Sequence, residues 1–389
     1  MRFFCAIVFS ALLVACSHSA VTTLPNNAPS LFVGSQFEQP PAGNGYKLLV
    51  SFSNDDGYSV SGLTSLNGAL YGTTYGGGEQ WGVVFRISLA GKGDVLYQFK
   101  AGHDGAHPWA GLTALNGVLY GTTAQGGTSG AGTVFSVTTS GNEHVIYSFK
   151  GESDGEYPYG ALLVLDGELY GTTYTGGSSG WGTVFKVTTS GHEQVLYRFK
   201  AGSDGANPVG GLTLVDGVLY GTTYYGGAKG SGTVYKLSQG VEHVIYSFKG
   251  GTDGQYPKAP LIAVKGELYG TTYQGGVSSG WGTVFAVNPA GNEHVLYQFK
   301  AGSDGAHPQL GGLLSVNGAL YGTTYQGGTS GAGTVYKVTS DKDVVLYSFK
   351  GQPDGQYPYA GLTLVSGTLF STTQEGGTNG AGSVFKISP

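Results

Sequence analysis

A unit of about 50 residues that occurs seven times is the feature that most constrains this chain. The string Leu-Tyr-Gly-Thr-Thr recurs with its aromatic residue at positions 71, 120, 170, 220, 269, 321 and 370, the last copy being Leu-Phe-Ser-Thr-Thr. Gly-Thr-Val-Phe, or a close variant, follows each copy. Self-similarity at a fixed period is typical of repeat architectures, in which each unit is one supersecondary element.

Each unit contains four strand-like segments. In the second unit they are residues 111–115, 118–123, 132–137 and 144–150, and Asn116-Gly117 separates the first two. Asn-Gly tolerates positive φ at both positions and is a strong hairpin signal. The segments are rich in Val, Thr, Tyr and Phe and are bounded by turn residues, as strands are. Because no segment has helical apolar periodicity, the sequence predicts an all-β chain.

The two ends of the repeat array distinguish a β-propeller from an open β-solenoid. The last unit stops after three strand-like segments, whereas an additional segment, residues 47–52, precedes the first unit and matches the fourth-segment pattern. A ring in which the first segment completes the last unit explains both ends. We therefore predict a seven-bladed β-propeller with four antiparallel strands per blade, closed by strand 47–52 in the last blade.

The first residues are typical of an export signal. Arg2 precedes an apolar stretch, residues 3–15, which is too short to span a bilayer as a helix. Leu13-Val14-Ala15-Cys16 is similar to a bacterial lipoprotein processing site, at which the cysteine is acylated. We expect a signal peptide at 1–15, a tether at 16–45 and the propeller at 46–389. Cleavage after Ala20, giving a secreted or periplasmic protein, is the alternative to an outer-membrane lipoprotein with lipid on Cys16.

Charge and composition limit the partners. Charged residues are 11% of the chain, the net charge is −5, and no basic block occurs, so nucleic acid is not an expected partner. No Cys or His spacing suits zinc. An Asp-Gly pair recurs before each unit, with Asp at 56, 104, 154, 204, 253, 304 and 354. A ring of cation ligands is one interpretation, but Asp-Gly is also turn chemistry, and we favour the turn. We expect no metal and no cofactor.

The repeats resemble the bacterial GloVer tandem-repeat family, named for Gloeobacter and Verrucomicrobia. The resemblance lies in Leu-Tyr-Gly-Thr-Thr-Tyr-x-Gly-Gly and Gly-Thr-Val-Phe, and it covers about 63–389. It implies an architecture and a surface location, and it carries no assigned activity.

The long loops on one propeller face are the candidate binding surface, because loops on a rigid scaffold commonly carry binding groups. Their aromatic and histidine positions vary between copies. The candidate ligand-binding residues are Tyr75, Trp81, His107, Trp109, Tyr159, Tyr174, Trp181, Tyr224, Tyr273, Trp281, His307, Tyr325 and Tyr359.

Aromatic rings beside small polar groups suit sugars, whose C–H faces stack on rings. We therefore expect a monomeric, non-enzymatic envelope protein that binds a glycan or polysaccharide. A protein-docking scaffold at the cell surface is the alternative, since such surfaces use the same residue types. A third interpretation is that the rings pack between blades without a ligand. A carbohydrate-active enzyme is a further alternative, although no catalytic residues stand out.

Overall fold

Seven four-stranded antiparallel sheets form a closed ring in the computed structural model, which describes residues 45–277, 280–339 and 342–389. The predicted seven-bladed β-propeller is confirmed, as is its closure by an N-terminal strand. The predicted signal peptide, Cys16 and the tether up to residue 44 lie outside the described residues. Within the described residues, no helix is long and apolar enough to cross a membrane.

In blades 1 to 6 the four strands lie side by side in chain order, and in blade 7 the N-terminal strand takes the fourth place. Blades 1 to 3 contain Thr64–Leu66, Ala69–Gly76, Val83–Ser88 and Gly93–Gln98; Thr113–Leu115, Val118–Thr123, Thr133–Thr138 and Glu143–Ser148; and Leu163–Leu165, Glu168–Thr173, Thr183–Thr188 and Glu193–Arg198. Blades 4 to 6 contain Thr213–Val215, Val218–Thr223, Thr233–Ser238 and Val241–Ser247; Ile262–Val264, Glu267–Thr272, Thr283–Val287 and Glu293–Gln298; and Leu314–Val316, Ala319–Thr324, Thr334–Thr339 and Lys342–Ser348. Blade 7 contains Thr363–Val365, Thr368–Thr373, Ser383–Ile387 and the N-terminal strand Lys47–Ser51.

Short elements lie between the blades. Tyr58–Val60 pairs with the second strand of blade 1, and Gly355–Gln356 pairs with Glu375–Gly376. The described helices are single 3₁₀ turns at Gly102–Asp104, Gly202–Asp204 and Gly251–Asp253. Asn116 and Gly117 have φ of 51° and 79°, which confirms the predicted left-handed hairpin turn.

The ring is closed by the same contacts that join neighbouring blades elsewhere. Leu48 and Val50 of the N-terminal strand lie opposite Phe385 and Val384. Between blades 7 and 1, the Thr363 hydroxyl donates to the Leu63 carbonyl at 2.6 Å. Between blades 2 and 3, Thr113 donates to Leu162 at the same distance. The junction between the two chain ends is therefore equivalent to an internal one.

Pairs of aromatic rings in edge-to-face or tilted contact form the core between blades. The phenylalanine directly after each fourth strand contacts the aromatic residue of the next blade's third strand, with ring centroids 5.0 to 5.1 Å apart at every junction. The pairs are Phe52–Phe85, Phe99–Phe135, Phe149–Phe185, Phe199–Tyr235, Phe248–Phe285, Phe299–Tyr336 and Phe349–Phe385. These large rings bury apolar surface at each junction, which stabilises the ring.

The repeated Thr-Thr motif has a packing reason. In blade 2, the first threonine, Thr122, donates to the carbonyl of Pro158 in the loop that enters blade 3, at 3.2 Å. The second, Thr123, lies 2.8 Å from the hydroxyl of Thr133 within its own blade. One hydroxyl therefore joins two blades, while the other satisfies buried polar groups inside one blade.

The repeated Asp-Gly is a turn, as favoured from the sequence. Asp104 accepts hydrogen bonds from the backbone N–H of Lys100 at 3.0 Å and from the hydroxyl of Tyr97 at 2.7 Å. The same tyrosine contact occurs at Asp154, Asp204, Asp253, Asp304 and Asp354. Lys100 uses its backbone rather than its ammonium group, so the bond orders the turn and is not an ion pair.

A second carboxyl group faces this turn across five blade junctions. The Tyr147 hydroxyl donates to Asp154 at 2.5 Å, and the same hydroxyl lies 3.4 Å from Oε2 of Glu193 in the next blade. The five facing pairs are Asp104–Glu143, Asp154–Glu193, Asp204–Glu242, Asp253–Glu293 and Asp304–Asp343. The second acid of each pair has a buried oxygen without a hydrogen-bond partner among the described residues. In the first four pairs the two acids thus share one tyrosine in a partly buried site.

Candidate functional site

Six side chains surround the mouth of the central channel on the long-loop face. Each follows the proline that precedes the first strand of its blade, and the first strands of neighbouring blades contact one another around the axis. In order around the ring they are Trp109, Tyr159, Val209, Lys258, Gln309 and Tyr359. Trp109, Tyr159, Val209 and Tyr359 line a cavity of about 300 Å³. This volume is at the small end of the range for ligand pockets.

Glycine backbone forms the wall below these side chains. Gly62, Gly111, Gly211, Gly312 and Gly361 line the cavity. A Cβ atom on Gly111 would lie 3.1 Å from the carbonyl oxygen of Gly62, so the absence of side chains lets neighbouring blades approach closely. The wall therefore presents backbone polar groups in a narrow channel.

Three aromatic side chains form a continuous surface on one side of the mouth. The ring centroid of Trp109 lies 5.5 Å from that of Tyr159 and 5.8 Å from that of Tyr359. Tyr75, Tyr174 and Tyr325 pack behind them, with centroids 5.0, 5.3 and 6.1 Å from Trp109, Tyr159 and Tyr359 respectively. The rings behind thus restrict the motion of the three mouth rings, so the surface is preorganised for binding.

The other side of the mouth is polar. The Lys258 ammonium group donates to Oε1 of Gln309 at 3.1 Å and lies 3.7 Å from the centroid of the Tyr273 ring. The same ammonium group lies 5.4 Å from the centroid of the Tyr224 ring. Burial lowers the pKa of Lys258 to about 8, so the amine remains mostly charged at neutral pH. Rings and one cation thus face each other across the channel.

The two predicted histidines support the loops. His107 stacks on Tyr75 with centroids 4.4 Å apart, and its Nδ1 lies 2.9 Å from the Tyr75 carbonyl oxygen. His307 repeats this arrangement with Tyr273, at 4.8 Å and 3.0 Å. Burial, together with nearby Lys258, lowers the pKa of His307, so that imidazole is neutral at pH 7. Both histidines therefore pack between neighbouring loops.

The remaining tryptophans lie before the third strands, farther from the axis. Trp81 and Trp281 pack against His107 and His307, with centroids 5.4 and 5.1 Å apart. Trp81 is 36% exposed and Trp181 is 43% exposed. The structure therefore separates the predicted residues into a mouth group, a supporting layer behind it, and a more exposed outer group.

Sequence analysis did not select Lys258 and Gln309, although they share the mouth with selected aromatic residues. A signal was present, because both follow the same repeated proline as Trp109 and Tyr159. Comparing the residue after the proline in every unit, whatever its type, would have found Lys258 and Gln309.

The mouth can stack on a flat apolar face and hydrogen-bond to polar groups at its edge. Burial raises the pKa of the Tyr159 and Tyr359 hydroxyls above the ordinary value, so both stay neutral and can donate as well as accept. Within the described part of the chain, no group of three or more His, Cys, Asp or Glu side chains is placed to hold a metal ion.

Comparison with known protein families identifies the family of the repeats. Two overlapping segments, residues 22–235 and 215–389, match the Gloeobacter/Verrucomicrobia repeat. Together they span most of the chain. The chain belongs to this family. The resemblance seen in the repeated motifs is thereby confirmed. Among curated proteins, no significant match to this repeat-family protein was found.

Solved structures that resemble this repeat-family protein are propeller-containing proteins of low sequence identity. A puromycin-hydrolyzing peptidase from Mycobacterium tuberculosis has a TM-score of 0.56 and 11% identity, over 89% of this chain and 54% of the peptidase. A quinohemoprotein alcohol dehydrogenase from Comamonas testosteroni has a TM-score of 0.53 and 11% identity, over 88% and 76% of the two chains. The chain spans about half the length of the peptidase. At such identities the likeness shows the fold alone.

Proposed function

We propose that this repeat-family protein is a non-enzymatic binding protein that holds a glycan at the mouth of its central channel. The observation that carries the proposal is the continuous surface of Trp109, Tyr159 and Tyr359 at a cavity of about 300 Å³. Lys258 and Gln309 hold the equivalent places in blades 5 and 6, on the other side of the ring. A sugar ring has one apolar C–H face and a polar edge of hydroxyl groups. The mouth offers a matching aromatic side and polar side.

The rigidity of the mouth also supports recognition of a small ring. The mouth rings are held by Tyr75, Tyr174 and Tyr325, and each loop is anchored to a blade of the closed propeller. Little side-chain entropy remains to be lost on binding, which favours affinity from a small contact area.

Binding to a panel of glycans tests this proposal. We expect the full-length chain to bind one glycan class, and the Trp109→Ala/Tyr159→Ala variant to bind it at least about ten-fold more weakly, because stacking on both rings is lost. Trp181→Ala is the matched control, since Trp181 is exposed outside the mouth. Unchanged glycan affinity in the double variant, with an unchanged melting temperature, would contradict the proposal.

Protein docking is the second candidate function, and exposed aromatic side chains outside the mouth favour it. Trp81, Trp181 and Tyr225 are 36%, 43% and 39% exposed. Exposed aromatic residues of this kind are enriched at protein interfaces. Crosslinking in native envelopes with wild-type and Trp181→Ala chains tests this candidate. A partner lost from the Trp181→Ala sample would support it, and an identical set of partners would exclude this residue as an anchor.

For the location, we propose an outer-membrane lipoprotein with its acyl chains on Cys16 and the propeller held away from the membrane by residues 17–45. The support is the sequence before Cys16, together with the small and proline residues of the tether. Labelling with a radioactive fatty acid should mark the wild-type chain and not the Cys16→Ala variant. Label on both chains, or an N-terminus that begins after Ala20, would refute the anchor.

A further inference from the structure

Lys258 is a partly buried cation without an anionic partner. In residues 45–277, 280–339 and 342–389 the ion pairs are Arg86–Asp94 and Lys186–Glu168, so no described carboxylate lies within ion-pair distance of Lys258. Its near neighbours are the Gln309 amide and the rings of Tyr273 and Tyr224. Burying a charge is unfavourable unless it is paired. The rings compensate for part of this through cation–π attraction, but they carry no net charge.

The place of Lys258 in the repeat puts it beside the proposed recognition surface. Lys258 follows the same repeated proline as Trp109, Tyr159 and Tyr359, so it holds the equivalent place at the channel mouth in blade 5. Pro260 and Ile262, just beyond it in the chain, line the cavity. Gln309 accepts from Lys258 through Oε1, and one of its amide N–H groups lies in hydrogen-bond reach of the Tyr273 hydroxyl, which leaves the second amide N–H for another acceptor. An ammonium group and an amide side by side suit an anionic group that accepts from both.

We infer that the glycan bound at this mouth is acidic, with one sugar ring stacked on the aromatic side and a singly charged group of the sugar paired with Lys258 and Gln309. This inference rests on the proposed function. A uronic acid carboxylate and a sulfate ester both present such a charge. The single positive charge of Lys258 matches one negative charge, and the aromatic side takes the apolar face of the same sugar.

Binding of trigalacturonate and its methyl ester to the full-length chain tests the charge directly, because the ester keeps the ring and removes the negative charge. We expect wild-type protein to bind the acid at least about ten-fold more tightly than the ester at low salt. A sulfated trisaccharide serves as a third probe: preference for it over the uronate assigns the charge to a sulfate ester.

The variant Lys258→Met keeps the aliphatic stem and removes the cation. We expect it to bind acid and ester equally, with a melting temperature equal to or above that of the wild type, because an unpaired buried charge is gone. Lys337→Met is the matched control, since Lys337 lies 5.1 Å from the ring of Tyr321 in a similar cation–π pair on blade 6. It should keep the wild-type preference for the acid.

The outcomes separate the inference from the function on which it rests. Equal wild-type affinity for an acidic glycan and its neutral counterpart overturns the inference and leaves glycan binding in place. Binding of no member of a glycan panel overturns both. If the Lys258→Met variant still prefers the acid, residues other than Lys258 bind the acidic group, and this outcome also overturns the inference.

Discussion

The Phe52→Ala variant is expected to lose about 3–5 kcal/mol of the free energy of unfolding, as is usual for removing a large buried aromatic ring. Phe52 is fully buried and contacts Phe85 of blade 1 with centroids 5.1 Å apart, and its backbone N–H bonds to Gly382 of blade 7 at 3.0 Å. The residue therefore connects the last blade to the first. Urea unfolding followed by tryptophan fluorescence measures the loss.

Phe99→Ala is the matched comparison, because Phe99 occupies the same place at an internal junction, 5.1 Å from Phe135. In a closed ring the two substitutions should destabilise to a similar extent. Leu364→Ala, at a residue that is 40% exposed, should have little effect. A Phe52→Ala variant as stable as Leu364→Ala would show that the N-terminal strand does not close the ring.

Stability is expected to fall as the pH rises from 5 to 8, with the melting temperature dropping by several degrees. Burial, followed by repulsion from Asp104, raises the pKa of Glu143 to about 7. Tyr97 and Lys100 also face Glu143 and act in the opposite direction. The same two causes raise the pKa of Glu242, Glu293 and Asp343 to about 7 and that of Glu193 to about 6.

The sign of the pH dependence of stability follows from the direction of these pKa shifts. Each acid has a higher pKa in the folded chain than in the unfolded chain, so the folded state binds more protons between pH 5 and 7. The corresponding stability is present below the unfolded pKa and is lost as the pH rises through 6 to 7. His307 and Lys258 act in the opposite direction, because their pKa values are lowered, but they are two groups against five.

Neutral variants of the same acids supply the control for this pH effect. The combined variant Glu143→Gln, Glu193→Gln, Glu242→Gln, Glu293→Gln and Asp343→Asn should have a nearly constant melting temperature over this range. The exposed acids Glu79 and Glu152, changed to Gln, should leave the wild-type pH dependence intact. A wild-type melting temperature that rises or stays level from pH 5 to pH 8 would contradict the assignment.

The fold was accessible from the sequence because the repeat is nearly regular and its two ends are complementary. The segment 47–52 matched the fourth strand of other units, and it lies in that place as Lys47–Ser51, next to Ser383–Ile387. Strand limits were less accurate. The first strand of unit 2 begins at Thr113 and not at residue 111, since the glycine-containing segment before it lines the channel.

The site was only partly accessible, because contacts between blades are long-range. The pattern selected Trp109, Tyr159 and Tyr359 by residue type, but it could not show that they touch one another while Trp181 lies outside the mouth. The acid pairs were also missed: Glu143 and Asp104 are 39 positions apart, and only the packing of two blades brings them to the same tyrosine.

Carbene footprinting of the full-length chain, with and without a bound acidic glycan, tests the central claim most directly. It reports which side chains a ligand covers. We expect protection of Trp109, Tyr159 and Tyr359 at the channel mouth, and unchanged labelling of the exposed Trp81 and Trp181. Protection of Trp81 and Trp181 with the mouth labelled as before would contradict the claim that the ligand is held on the propeller axis.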